Sequence, residues 1–183
     1  MAELISVMAE LIKTEHLSIE KLWFDHLDDF AAFAMDASIS YMVHYPMERK
    51  SDVIFYVSKS TTMWKMVIPL YLDFAIVKDG KCIGIVTAYF DSFMSDLSIE
   101  LGWLVKPEYR RQHVAAEAVD AVMLWLYNTY EASYFYAYCD VRNVPSRRFC
   151  EKLGMILCGH SFNHGREEYK YKLPCSFLKK NLQ

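Results

Sequence analysis

The chain predicts an α+β fold: a central mixed sheet, mostly antiparallel, with helices on both faces. Three observations carry this. Asp79-Gly80 joins two β-rich runs, 74–78 and 82–90, and Asp-Gly between such runs favours a tight hairpin. A second pair of runs, 155–162 and 168–174, flanks Asn163-His164-Gly165. Between the pairs, 97–105, 115–130 and 134–141 read strand, helix, strand, the unit that makes such a sheet mixed.

Each element has its own signal. Residues 11–22 alternate apolar and polar side chains and predict a first strand. Residues 25–37 place Leu27, Phe30, Ala31 and Ala34 at helical spacing, with Asp28 and Asp29 near the favourable N-terminal end. Residues 38–56 are less regular, and 52–59 suggest a second helix. Pro107 closes the 97–105 strand because it cannot donate to a ladder. In 115–130, Ala118, Val119, Val122 and Leu126 form one stripe. Dense aromatics in 134–141 predict a strand covered on both faces. Residues 144–153 predict a short helix ended by Gly154.

The 183 residues, 54% hydrophobic and 23% charged, suit one globular domain over 1–183, with 1–10 as an N-terminal arm. MAELI at Met1 recurs at Met8, so either methionine can serve as the start. A net charge of −3 argues against nucleic acid as a partner. No apolar run is long enough for a membrane span, and no signal-peptide pattern opens the chain. Cys82, Cys139, Cys150, Cys158 and Cys175 form no C-x-x-C pair, which fits a reducing, cytoplasmic setting. His160 and His164 flank a turn rather than sharing a helix face, so no metal site is expected.

The most telling stretch is the strand-to-helix turn Arg110-Arg111-Gln112-His113-Val114-Ala115. A helix start gathers unpaired backbone N–H groups and the positive end of the dipole, which suits a phosphate. About thirty residues on come Asn143-Val144-Pro145-Ser146 and Glu151-Lys152-Leu153-Gly154-Met155. Together these resemble the GNAT family of acyl-CoA N-acyltransferases, nearest the ribosomal-protein N-terminal and spermidine acetyltransferases. In the family pattern R/Q-x-x-G-x-G/A, Arg110 takes the first position and Ala115 the last. His113 stands where the middle glycine belongs. The pattern N-x-x-S followed by E-K-x-G-F is met by Asn143, Ser146, Glu151, Lys152 and Gly154, with Met155 for the Phe.

The resemblance implies a cofactor cleft where the 97–105 and 134–141 strands splay apart. It also implies acetyl-CoA as co-substrate and an amine as acceptor, with a homodimer as a further partnership. The pyrophosphate would lie on the amides of Arg111, Gln112, His113, Val114 and Ala115, beside Arg110. The pantetheine arm would lie along the backbone of Trp103, Leu104 and Val105, next to Asn143. Three readings of His113 stand open: an outward side chain, a donor to a phosphate oxygen, or a loop that binds poorly. Asn143 also reads as a helix cap before Pro145.

Amine acylation needs a neutral amine, a donor for the oxyanion and an outlet for the thiolate. Glu100 is the first candidate for the base, since Ser98, Glu100, Gly102 and Leu104 share one strand face. An ordinary exposed strand glutamate is the competing reading. Cys150 is a candidate proton donor one helical turn from Ser146, although a buried packing residue is the simpler reading. Ser146 and Tyr138 are weaker substitutes. The aromatic region 41–64 serves either as acceptor pocket or as core.

Overall fold

Strands with hairpin and parallel neighbours must share one sheet, and eight do so in the order β1-β2-β3-β4-β5-β6-β8-β7. The structure is a computed structural model describing residues 11–36, 47–91, 96–163 and 165–176. The strands are β1 (Ile12–Lys13), β2 (Ser18–Lys21), β3 (Tyr71–Lys78), β4 (Lys81–Asp91), β5 (Ser98–Val105), β6 (Tyr134–Asp140), β7 (Ile156–Asn163) and β8 (Arg166–Pro174). The helices are α1 (Leu27–Ala34), α2 (Lys50–Met63), α3 (Val114–Tyr130) and α4 (Val144–Lys152). All pairings are antiparallel except β5 with β6. The mixed, mostly antiparallel sheet expected from the sequence is therefore present.

Two apolar layers sandwich it. On one face Phe30 and Phe33 of α1 and Val53 and Val57 of α2 pack on Ala75, Val77 and Ile85. On the other, Ala118, Val122 and Leu126 of α3 pack on Phe74, Ile76 and Leu101. Alternation along β3 sorts its side chains between the layers, which is why the strand is buried on both sides. Asp79 and Gly80 both have positive φ, 50° and 73°, as a two-residue primed turn requires.

Several local readings change. The strand expected over 11–22 is a short hairpin of β1 and β2. Thr14 and Leu17 close its turn, where the Thr14 N–H donates to the Leu17 carbonyl at 3.0 Å. Glu117 of α3 holds that turn by accepting the His16 N–H at 2.8 Å, a contact no local pattern reveals. Helix α2 starts two residues before Asp52, whose carboxylate accepts the Arg49 N–H at 3.0 Å and so caps the helix from inside its first turn. Strand β6 is not covered on both faces. Phe135, Ala137 and Cys139 are buried, but Tyr134, Tyr136 and Tyr138 are only half-buried under Lys170 and Lys172. Residues 37–46, part of the irregular region, and His164 lie outside the described residues.

Candidate active site

The parallel ladder between β5 and β6 runs through only three pairs: Ser98 with Tyr134, Ile99 with Phe135, and Glu100 with Tyr136. Beyond them the strands part. Trp103 then meets Phe149 of α4 edge to face, ring centres 4.9 Å apart, so side chains rather than a ladder join the two arms. The parting leaves a cleft of about 490 Å³. It passes through the sheet, because both faces line it. Tyr56, Thr87, Tyr89, Glu100 and Gly102 come from the α1–α2 side, and Trp103, Cys139, Asn143 and Ser146 from the α3–α4 side. Beyond Leu101, β5 presents backbone N–H and C=O groups toward the gap that no β6 partner takes.

Glu100 sits at the point of divergence. Burial pushes its carboxyl up to about 7, and the nearby charge of Glu168 adds to this, while Lys170 opposes it. Glu168, on β8, is itself buried at 3% exposure and lines the same cleft. Two carboxylates sharing a poorly solvated space thus leave Glu100 able to gain and lose a proton near neutral pH. Asp140 on the same wall behaves oppositely. A two-pronged bond from Arg142, at 2.7 and 2.9 Å, draws its carboxyl down to about 2.

The far end of β5 leads into the expected phosphate turn. Lys106, Pro107 and a short 3₁₀ segment carry the chain to Arg110, whose Nε donates to the Val105 carbonyl at 3.0 Å. Arg111 and His113 both have positive φ, 60° and 63°. The turn thus keeps the left-handed backbone that a glycine would adopt freely, at a strain cost of about 1–3 kcal/mol per residue. His113 caps α3, whose first bond runs from the Glu117 N–H to the His113 carbonyl at 3.0 Å. The amides of Val114, Ala115 and Ala116 therefore stand ahead of the helical ladder. The His113 imidazole turns to α4, with Nδ1 3.3 Å from Lys152 Nζ. An ammonium only donates, so a hydrogen bond between the two has Nδ1 as its acceptor.

Of the residues singled out in the sequence, Glu100, Trp103, Leu104, Asn143 and Ser146 line the cleft together. Val105, Arg110, Arg111, Gln112, His113, Val114 and Ala115 form the strand end, turn and helix start beyond it. The side chain of Val114 is core. The Gln112 side chain donates back to the Glu108 carbonyl at 2.6 Å. Asn143 does cap α4, its Oδ1 accepting the Ser146 N–H at 3.2 Å. Cys150 is fully buried, its Sγ 3.5 Å from that of Cys139, and this contact and burial push its thiol far up. That placement fits the packing reading rather than the proton donor. Glu168, Arg166, Tyr56 and Thr87 were not singled out. Only Tyr56 had a signal, its place in the aromatic region. Among the described residues no group of three or more His, Cys, Asp or Glu is arranged to hold a metal. His160 instead faces Glu167 across the β7–β8 hairpin at 2.8 Å.

Residues 16–156 match the family model described as acetyltransferase (GNAT) domain. The chain belongs to that family. This acetyltransferase domain is 23% identical over 145 residues to the uncharacterized N-acetyltransferase YnaD of Bacillus subtilis (strain 168), covering 79% of this chain and 81% of that one. Its fold is similar to that of a GNAT-family acetyltransferase from Bacillus anthracis, with a TM-score of 0.76, 23% identity, and 89% and 97% of the two chains covered. It is also similar to RimL, a ribosomal L7/L12 α-N-protein acetyltransferase solved in complex with coenzyme A. There the TM-score is 0.78, the identity 12%, and the coverage 88% and 95%.

Proposed function

We propose that this acetyltransferase domain moves an acetyl group from acetyl-CoA to a primary amine by direct attack on the thioester. The observation that carries this is Glu100 at the point of the splay, poised near 7 beside backbone groups that no strand pairs. Acetyl-CoA supplies an activated acetyl group: a C–N bond forms to its carbonyl carbon, the C–S bond breaks, and the thiol departs with one proton.

The chain's own groups meet the remaining demands. The amides of residues 111–115 and the charge of Arg110 and Arg111 suit a pyrophosphate. The His113 ring N–H, exposed beside Lys152, adds a donor that favours the phosphate-contact reading of this residue. The open edge beyond Leu101 and the Asn143 amide suit the peptide-like pantetheine arm. Glu100, backed by Glu168, takes the proton that the amine loses, directly or through a water. A primary amine with a pKa near 10.4 is mostly protonated at neutral pH, so this removal limits the supply of nucleophile. The Ser146 hydroxyl, on the first turn of α4, and the Tyr138 hydroxyl both line the cleft and are candidates to return a proton to the thiolate.

The reading takes the whole chain as one cytoplasmic N-acetyltransferase domain in the ribosomal-protein N-terminal and spermidine branch. RimL, named for acetylating an α-amino group, is consistent with it. A non-catalytic acyl-CoA-binding or regulatory module is the alternative, favoured by His113 in the glycine position and by Cys150 where many members of the family carry a tyrosine. Thermal melts with coenzyme A and acetyl-CoA, followed by thiol release with a panel of amines, separate the two. Ligand at one hundred times its Kd adds about 2.7 kcal/mol. A thermal shift with thiol release supports the enzyme. A shift without thiol release from any amine favours an acyl-CoA-binding module, and no shift at millimolar acetyl-CoA removes the enzyme reading and leaves the regulatory one.

A further inference from the structure

Beneath the α1–α2 side of the cleft lies Asp73, a carboxylate only 1% exposed in the middle of β3. Its Oδ1 accepts two hydroxyl protons, from Tyr56 at 2.7 Å and from Thr87 at 2.6 Å. A hydroxyl has one proton and two lone pairs. With both protons committed to one oxygen, Tyr56 and Thr87 have no donor left for the cleft they line, only lone pairs. The commitment does not depend on the charge of Asp73, because Oδ1 accepts even if the other oxygen carries a proton. Burial raises the Asp73 carboxyl, while the Thr87 and Tyr56 bonds hold it down. The Trp64 Nε1–H, donating to the Asp73 carbonyl at 2.9 Å, fixes the strand beneath.

This accepting wall lies beside the proposed base. Thr87 pairs with Gly102 on β5 and Tyr89 pairs with Glu100, so the two stations share one face two residues apart. At the strand rise that is about 7 Å. Gly102 leaves the space beside it open: a Cβ there would meet nothing within 4 Å.

We propose that Asp73 is a specificity-determining positioning residue, which turns Tyr56 and Thr87 into a subsite for a second N–H donor on the acceptor, about 7 Å from the nucleophilic nitrogen. The inference rests on the acetyl-transfer reading and deepens it. A wall of lone pairs backed by a buried carboxylate rewards an ammonium or amide N–H, and it leaves an acceptor hydrocarbon facing unsatisfied oxygens. The second nitrogen comes either from a diamine or from the backbone of a peptide with a free amino end.

The test compares kcat/KM for 1,4-diaminobutane with that for butylamine. Wild type is expected to prefer the diamine at least tenfold, through KM. Tyr56→Phe, Thr87→Val and Asp73→Leu should each bring the ratio toward one. Asp73→Leu does so because it releases both hydroxyl protons into the cleft. Asp73→Asn keeps an accepting oxygen at this position and should retain most of the preference, which a merely structural role would not predict. A tripeptide amide preferred over the diamine, with that preference lost in the same variants, would assign the second nitrogen to a peptide. Equal use of diamine and monoamine by wild type, without a preference for the peptide, overturns the inference. So does a preference that survives in Tyr56→Phe, even if the Asp73 variants fail to fold. If no amine is acetylated, the transfer reading fails separately, and calorimetry of 1,4-diaminobutane decides the inference: tighter binding to wild type than to Tyr56→Phe supports it, and no difference overturns it.

Discussion

At the residue scale, Glu100 gathers the most physics in one side chain. Its folded carboxyl titrates near 7 against an ordinary 4.5, with burial the main cause. Below about pH 4.5 both folded and unfolded chains keep this proton, and the residue costs nothing. Between 4.5 and 7 the unfolded chain releases it while the folded chain holds on, so stability falls as pH rises, then levels off above 7. Glu100→Gln removes that loss. Thermal melts should therefore show the variant gaining on wild type at pH 8 relative to pH 4.5. The same substitution should lower turnover at pH 7 by about 10²–10⁴-fold. It should also abolish the inflection near 7 in the pH–rate profile. Unchanged turnover would leave orientation of the two substrates as the main source of rate. The face of β5 that carries Glu100 was legible in the alternation of the strand. Its proton affinity was not, because that depends on desolvation and on Glu168, a residue of a different hairpin.

At the element scale, the start of α3 shows how a turn keeps its shape when its residue type changes. His113 holds a left-handed φ of 63° without being glycine, and its ring reaches Lys152 at the end of α4. His113→Gly should leave the melting temperature unchanged or raise it, since it relieves the left-handed strain. On the phosphate-contact reading it should also weaken coenzyme A binding about tenfold by removing the ring N–H, as calorimetry would measure. Undiminished affinity would mean that the imidazole points away from the phosphates. The motif itself stood plainly in the sequence. The link between the two helix ends did not, because residues 113 and 152 are joined only by the packing of both helices against the sheet.

At the scale of the whole molecule, two apolar layers and one sheet decide what solvent can reach. Of the five cysteines, Cys82, Cys139, Cys150 and Cys175 are buried and only Cys158 is exposed. Burial also raises the Cys82 thiol to about 12 and the Cys175 thiol to about 11. Since the thiolate is the reactive form, the native protein should show one fast thiol toward a disulfide reagent at pH 8. Cys158→Ser should abolish that phase, and unfolding should expose the rest. A second fast thiol in the variant would show that Cys139 is reachable through the cleft. The same layering explains the opening at the splay. It lies where neither a ladder nor a helix closes the gap between β5 and the β6–β8–β7 arm.

What the sequence determined by itself was everything fixed by near neighbours along the chain. The Asp79-Gly80 hairpin, the α3 stripe, the Asn143 cap and the turn at residues 110–115 all follow from periodicity, turn chemistry and capping within a few residues. Only the tertiary structure decided how far the β5–β6 ladder runs, and thus where the cleft opens. It alone set Glu168 near Glu100, drew Tyr56 and Thr87 onto Asp73, and sealed Cys150 against Cys139. Each of these depends on register and burial between segments far apart in sequence. Those are set by how the two layers share the sheet, and no local window of residues records them.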